Sequence, residues 1–108
     1  GFERFVFCTG YKADIIEDYF GDGSKFGVDI KYSSDGPRLL GTGGALRKAS
    51  GLLDEDFLVI YGDSFMDVDY QELIYYYRRS KSFENKKALM AVFRNMNRSD
   101  ICLPQITL

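Results

Sequence analysis

Histidine is absent from this chain, and cysteine occurs only twice, at Cys8 and Cys102. Without histidine there is no His-based catalytic triad, and without a cysteine cluster there is no zinc centre, so any metal must be held by oxygen ligands. The two cysteines stand far apart, and Cys8 falls inside the apolar run FVFC; both read as reduced structural thiols, Cys8 as a buried strand residue. A stripe of one charge is missing as well. The 14 basic and 16 acidic residues are mixed along the chain, for a formal net charge of -2, which leaves no electrostatic footprint for nucleic acid. No apolar run reaches the length of a membrane span, and the N-terminal GFERFVFC carries an acid and lacks a signal peptide's apolar core. The expectation is a soluble, cytoplasmic protein with neither nucleic acid nor membrane as a partner. Repeats and low-complexity segments are also lacking.

What is present suits a small layered domain. A chain of 108 residues that is 45% hydrophobic and 16% aromatic can bury one core, so residues 1–108 are expected to form a single domain. The run RFVFCT, Arg4 to Thr9, closed by Gly10, predicts a buried strand. In YKADIIEDYFG the residues Ile15, Ile16, Tyr19 and Phe20 share one helical face, and Gly21 stands where a C-terminal cap belongs. The alternation in VDIKY predicts a half-buried strand over residues 28–32. Ala45, Leu46, Ala49, Leu52 and Leu53 recur at helical spacing. Residues 57–61, FLVIY, form a continuous apolar run bounded by DED and GD, the pattern of a strand covered on both faces. Asp69 and Glu72 fit a capping box opening the helix YQELIYYYRRS, with Tyr70, Leu73, Ile74 and Tyr77 on one side. Residues 88–93 predict a further strand. Strands alternating with helices through short loops make an α/β fold with a mostly parallel sheet. Ligands of such sheets bind beyond the C-terminal strand ends, where LGTGGAL and YGDS are expected to lie.

The helix that starts in LGTGGAL has Gly43 and Gly44 in its first turn, although each glycine costs a helix about 0.8–1 kcal/mol relative to alanine. Neither G-x-G-x-x-G nor G-x-x-x-x-G-K-[ST] is present, so the standard dinucleotide and phosphate loops are excluded. What remains is a helix N-terminus with free N–H groups, Thr42 as its N-cap and no side chains over the first turn. A flat base or sugar could rest there; the same glycines could equally serve close packing of helix on sheet. Asp63, following Gly62 after the apolar run, could hold a divalent ion bound to phosphates or could simply shape the turn with Ser64.

The succession GYKADIIEDYFGDG, YSSDGPRLLGTGGALRKA and FLVIYGDSFMDVDY resembles the sugar-1-phosphate nucleotidylyltransferases. It is most similar to the branch of mannose-1-phosphate and D-glycero-D-manno-heptose-1-phosphate guanylyltransferases, over about residues 1–95. The resemblance implies a partial Rossmann-like fold of the nucleotide-diphospho-sugar transferase type. It implies a nucleoside triphosphate, GTP in this branch, and a sugar 1-phosphate as substrates. Leu40, Gly41 and Thr42 would then meet the base through main-chain groups, Gly43 and Gly44 would leave room for the nucleotide, Tyr61 and Gly62 would border the nucleoside, and Asp63 would hold magnesium (Mg2+). The family's GGxGTRL loop, its P-K element and its later D-x-S-N-V segment have no counterpart here. The expectation is therefore an internal fragment, inactive by itself, that self-associates as a homo-oligomer. The alternative is a non-catalytic nucleotide-binding or oligomerisation module derived from the same fold.

Overall fold

Arg4–Thr9 forms the first strand, β1, and Asp29–Ser34 the second, β2, in a two-stranded parallel sheet whose register runs from Arg4 opposite Asp29 to Thr9 opposite Ser34. The first strand has the bounds expected from RFVFCT. The second begins one residue later than the alternation suggested and runs on through Ser33 and Ser34. The computed structural model describes residues 1–64, 66–85 and 87–91. They fall into two units, Gly1–Val59 and Ile60–Leu108.

In the first unit the strands are joined by helix α1, Ala13–Phe20, and a short 3-10 turn, Ser24–Phe26. Gly21, at φ 55°, ends α1 and donates its N–H to Glu17 O at 2.8 Å, the cap that the sequence called for. Only part of the expected apolar face of α1 is covered: Ile16 and Phe20 are half-buried, whereas Ile15 and Tyr19 are exposed. Phe20 meets Phe7 of β1 edge-on at 5.3 Å, and Phe7 meets Tyr32 of β2 edge-on at 5.8 Å. Such pairs contribute about 0.5–1.5 kcal/mol each beyond the area they bury. The Tyr32 hydroxyl donates to Gly21 O at 2.6 Å and ties the end of α1 to the sheet.

Helix α2, Gly41–Ala49, continues into a 3-10 turn, Ser50–Leu52, and lies against both strands. The Cys8 thiol reaches Ala45 O at 3.9 Å. Phe7 and Cys8 are consecutive strand residues and point to opposite faces of the sheet. With Phe7 on α1 and Cys8 on α2, the two helices cover opposite faces. Helix, parallel sheet and helix thus make an α/β layered arrangement, as the alternation of elements required. Ile30 and Ala49 are its buried apolar residues, joined by Thr9 and Ser33.

Cys8 corrects the expectation of a buried thiol. It is free and exposed, because the strand's covered positions are Val6, Phe7 and Thr9 and the α2 backbone only grazes the sulfur. Cys102 lies outside the described residues.

The second unit contains α3, Tyr70–Glu84. Asp69 is its N-cap and accepts from the N–H groups of Gln71 at 2.8 Å and Glu72 at 3.2 Å, one half of the capping box. Tyr70, Leu73, Ile74 and Tyr77 are all half-buried while Tyr75 and Tyr76 are exposed, so the expected apolar side is the side that α3 covers. Asp69→Ala should cost about 1 kcal/mol and speed amide exchange in the first turn of α3, with Asp69→Ser retaining most of the protection. Equal exchange in the two variants would refute the cap.

Two expected strands are not seen among the described residues. Residues 57–61 have no regular secondary structure, and Phe57, Leu58, Val59, Ile60 and Tyr61 are exposed by 37 to 59%. An apolar run becomes a central strand only where neighbouring strands offer ladder partners, and among the described residues the sheet consists of β1 and β2. Residues 88–91 are likewise irregular. The rest of that expected strand, at residues 92 and 93, lies outside the described residues.

Candidate nucleotide-binding wall

The chain leaves β2 at Ser34 and reaches α2 through residues 35–40, so LGTGG starts from the C-terminal edge of the sheet, where the parallel topology places ligands. Asp35 organises this passage. Its N–H donates to Thr9 O at 2.7 Å, extending the link between the strands, and its Oδ2 accepts from the N–H of Leu40 at 2.9 Å. The sequence by itself does not single out this residue. The available signal was an Asp followed by Gly and Pro, a combination that favours side-chain to backbone turns. On the sheet side, Thr9 is buried, and Thr9 Oγ1 and Asp35 Oδ1 are enclosed without a hydrogen-bond partner among the described residues.

Helix α2 opens differently from the expectation. Leu40, not Thr42, occupies the N-cap position, no side chain caps the helix, and Thr42 lies inside the first turn. The cause is Gly41, at φ +68°. A left-handed residue there costs about 1–2 kcal/mol for any side chain but glycine, and it swings the chain into the helix before Thr42 can act as a cap.

The two glycines sit in different surroundings. A Cβ on Gly44 would stand 2.8 Å from the Leu40 Cβ, so Gly44 serves close packing, although against the incoming loop rather than the sheet. A Cβ on Gly43 would meet nothing within 4 Å. Gly43 is also exposed, as are Leu40, Gly41 and Thr42. Internal packing accounts for one glycine and leaves the other on an open helix N-terminus, where backbone N–H groups carry partial positive charge.

Tyr61, Gly62 and Asp63 belong to the other unit and form a turn, with Ser64 N–H donating to Tyr61 O at 3.3 Å. Asp63 is exposed and accepts from the Ser64 hydroxyl at 3.2 Å. No group of three or more His, Cys, Asp or Glu side chains able to hold a metal occurs among the described residues. A lone exposed carboxylate such as Asp63 does not by itself make a metal site of protein ligands. An open depression lined by Arg4, Asp22, Ser24 and Asp29 lies at the N-terminal strand ends, away from LGTGG, and offers no comparable chemistry.

Close to the wall, partial burial and then the Asp35 carboxylate push the Cys8 thiol above its ordinary range. Asp35→Asn should accordingly speed alkylation of Cys8 near neutral pH, read by peptide-resolved mass spectrometry. An unchanged rate would mean that the carboxylate does not act on the sulfur.

No helix among the described residues is long and apolar enough to cross a membrane. A family profile described as nucleotidyl transferase matches residues 1–99. The chain is 34% identical over 73 residues to the D-glycero-alpha-D-manno-heptose 1-phosphate guanylyltransferase of Campylobacter jejuni, covering 68% of this chain and 32% of that protein. It is 32% identical over 83 residues to the mannose-1-phosphate guanylyltransferase of Mycobacterium tuberculosis, covering 76% of this chain and 23% of that protein. With the UTP--glucose-1-phosphate uridylyltransferase of Synechocystis it shares 35% identity over 80 residues, covering 64% of this chain and 21% of that protein. The chain therefore spans between about a fifth and a third of the length of these relatives. With a parallel α/β unit that opens α2 at the C-terminal strand edge, and with residues 1–99 of its 108 matching the family profile, the chain belongs to the nucleotidyl transferase family.

Proposed function

We propose that this chain supplies the base-side wall of a nucleotide site in a sugar-1-phosphate nucleotidyltransferase, with GTP as the nucleotide and a sugar 1-phosphate as the second substrate. The observation that carries the reading is Gly43, a helix-weakening residue on an exposed helix N-terminus with no neighbour in the space beside it. Leu40, Gly41 and Thr42 present main-chain groups to the base, and Gly43 keeps the surface flat. The guanylyltransferases among the relatives favour GTP, and the uridylyltransferase makes UTP the comparison to run. NMR titration with GTP, UTP and dTTP should shift the amides of residues 41–44, most strongly with GTP. No shift at millimolar ligand would refute the wall.

In the transfer reaction a sugar phosphate oxygen attacks the α-phosphorus and pyrophosphate leaves, so the protein's work is to align two polyanions. Magnesium, when bound, neutralises charge between the phosphates, and Asp63 is the carboxylate this chain would offer it. One exposed carboxylate makes a poor site without phosphates. Asp63→Asn should barely change stability, and calorimetry with Mg2+ alone should give no micromolar binding; tight binding would contradict this assignment.

A second reading, assembly into a homo-oligomer, is favoured by the exposure of the five apolar residues at 57–61. An apolar run of that size on a surface usually meets a partner. Light scattering should report concentration-dependent association, and a strict monomer at high concentration would exclude it.

A further inference from the structure

We infer that Asp35 is a positioning residue for the nucleotide wall: its carboxylate holds the Leu40 backbone, and with it residues 39–44, in the shape that the base meets. The inference rests on the reading of residues 40–44 as that wall. Asp35 is anchored at both ends. Its N–H is bound to Thr9 O at 2.7 Å, immediately beyond the last ladder pair of the sheet, and its Oδ2 takes the Leu40 N–H at 2.9 Å, five residues further on. A third element locks the same knot. Leu39 Cδ2 lies 2.7 Å from where a Cβ of Gly10 would stand, and Asp35 Oδ2 lies 3.7 Å from that point. Gly10, Asp35, Leu39 and Leu40 therefore pack as one cluster between the strand ends and the start of α2.

The position in the chain gives the contact its consequence. Residues 36–38 are exposed; Gly36, at φ +80°, donates its N–H to the Ser34 hydroxyl at 3.2 Å, and the ring of Pro37 fixes the next φ. Leu40 is the last residue before Gly41 turns the backbone, so fixing its amide fixes where the turn begins. A hydrogen bond from a backbone N–H to a carboxylate is charge-assisted and stronger than its neutral equivalent, and it places negative charge beside a helix N-terminus, the favourable end. The other carboxylate oxygen is enclosed, with no protein partner among the described residues.

The test compares the wild-type chain with D35A and D35N, using Leu40 amide exchange without ligand and GTP titration of residues 41–44. Loss of a hydrogen bond to a charged group should make Leu40 exchange about tenfold faster or more in D35A and weaken GTP by about tenfold, whereas D35N, which keeps an acceptor oxygen, should stay within about threefold of wild type on both. A purely structural role would lower the stability of both variants without this split. Unchanged exchange and affinity in D35A, or equal impairment in D35N, would overturn the inference. If the wild-type chain itself shows no GTP shifts, the wall reading and the nucleotide role of Asp35 fall together, while the ligand-free exchange still reports whether Asp35 holds Leu40.

Discussion

Gly43→Ala should stabilise the chain by about 0.5–1 kcal/mol and at the same time weaken GTP binding about tenfold, while Gly44→Ala should destabilise it by about 1 kcal/mol. The two substitutions add the same methyl group one residue apart in the same helical turn. At Gly43 the methyl enters open space, so only the reduced backbone freedom of the unfolded chain counts, and that favours alanine. For a base lying on the bare backbone, however, the methyl lifts the contact plane. At Gly44 the new Cβ would stand 2.8 Å from the Leu40 Cβ. Both atoms are attached directly to main chain, so the strain cannot be relieved by swinging a flexible side-chain end. Overpacking of this kind costs about 1–3 kcal/mol, which outweighs the helix gain of about 0.8–1 kcal/mol. Urea unfolding measures the first effect and NMR titration the second. If Gly43→Ala gained stability with GTP binding unchanged, the glycine would be a neutral surface residue and the wall reading would lose its support.

Pyrophosphate release from GTP with mannose 1-phosphate or heptose 1-phosphate should stay at background for this 108-residue chain by itself, with or without magnesium. Transfer at the α-phosphorus needs cationic groups aligned on the triphosphate, and loss of one preorganised group of that sort costs on the order of 2.7–4 kcal/mol in the transition state. The cations closest in sequence to the wall do not meet the need. Arg38 lies exposed in the loop before it, and Arg47 and Lys48 are exposed in the last turn of α2, at the opposite end of the helix from Gly41. Several such groups would have to come from elsewhere. Turnover that depends on Asp63 would overturn this prediction and would require an assembled partner to provide them.

Local chemistry made much of this protein readable before its structure. Asp69 caps α3 because its carboxylate reaches N–H groups two and three residues away, Gly21 ends α1 because its own backbone takes a positive φ, and β1 follows RFVFCT residue for residue. Each of these outcomes is decided within a few residues, and the family resemblance also lay in contiguous segments. Residues 57–61 show where that reasoning stops. Their apolar run carries a strand signal, yet strand formation depends on ladder partners that the run itself cannot provide. The exposure of Cys8 is illegible for a related reason, since a strand's own sequence does not say how closely a helix packed on its face will cover each residue. Thr42 lost the N-cap to Leu40 because Gly41 turns the backbone earlier, a choice of φ that glycine permits but does not announce. The roles of Gly43 and Gly44 were indistinguishable as letters and separated only when the Leu40 side chain was placed beside one of them. Asp35 belongs with these: its two anchors, Thr9 and Leu40, lie 26 residues back and five residues ahead along the chain, and only the parallel pairing of β1 with β2 brings the first of them within reach.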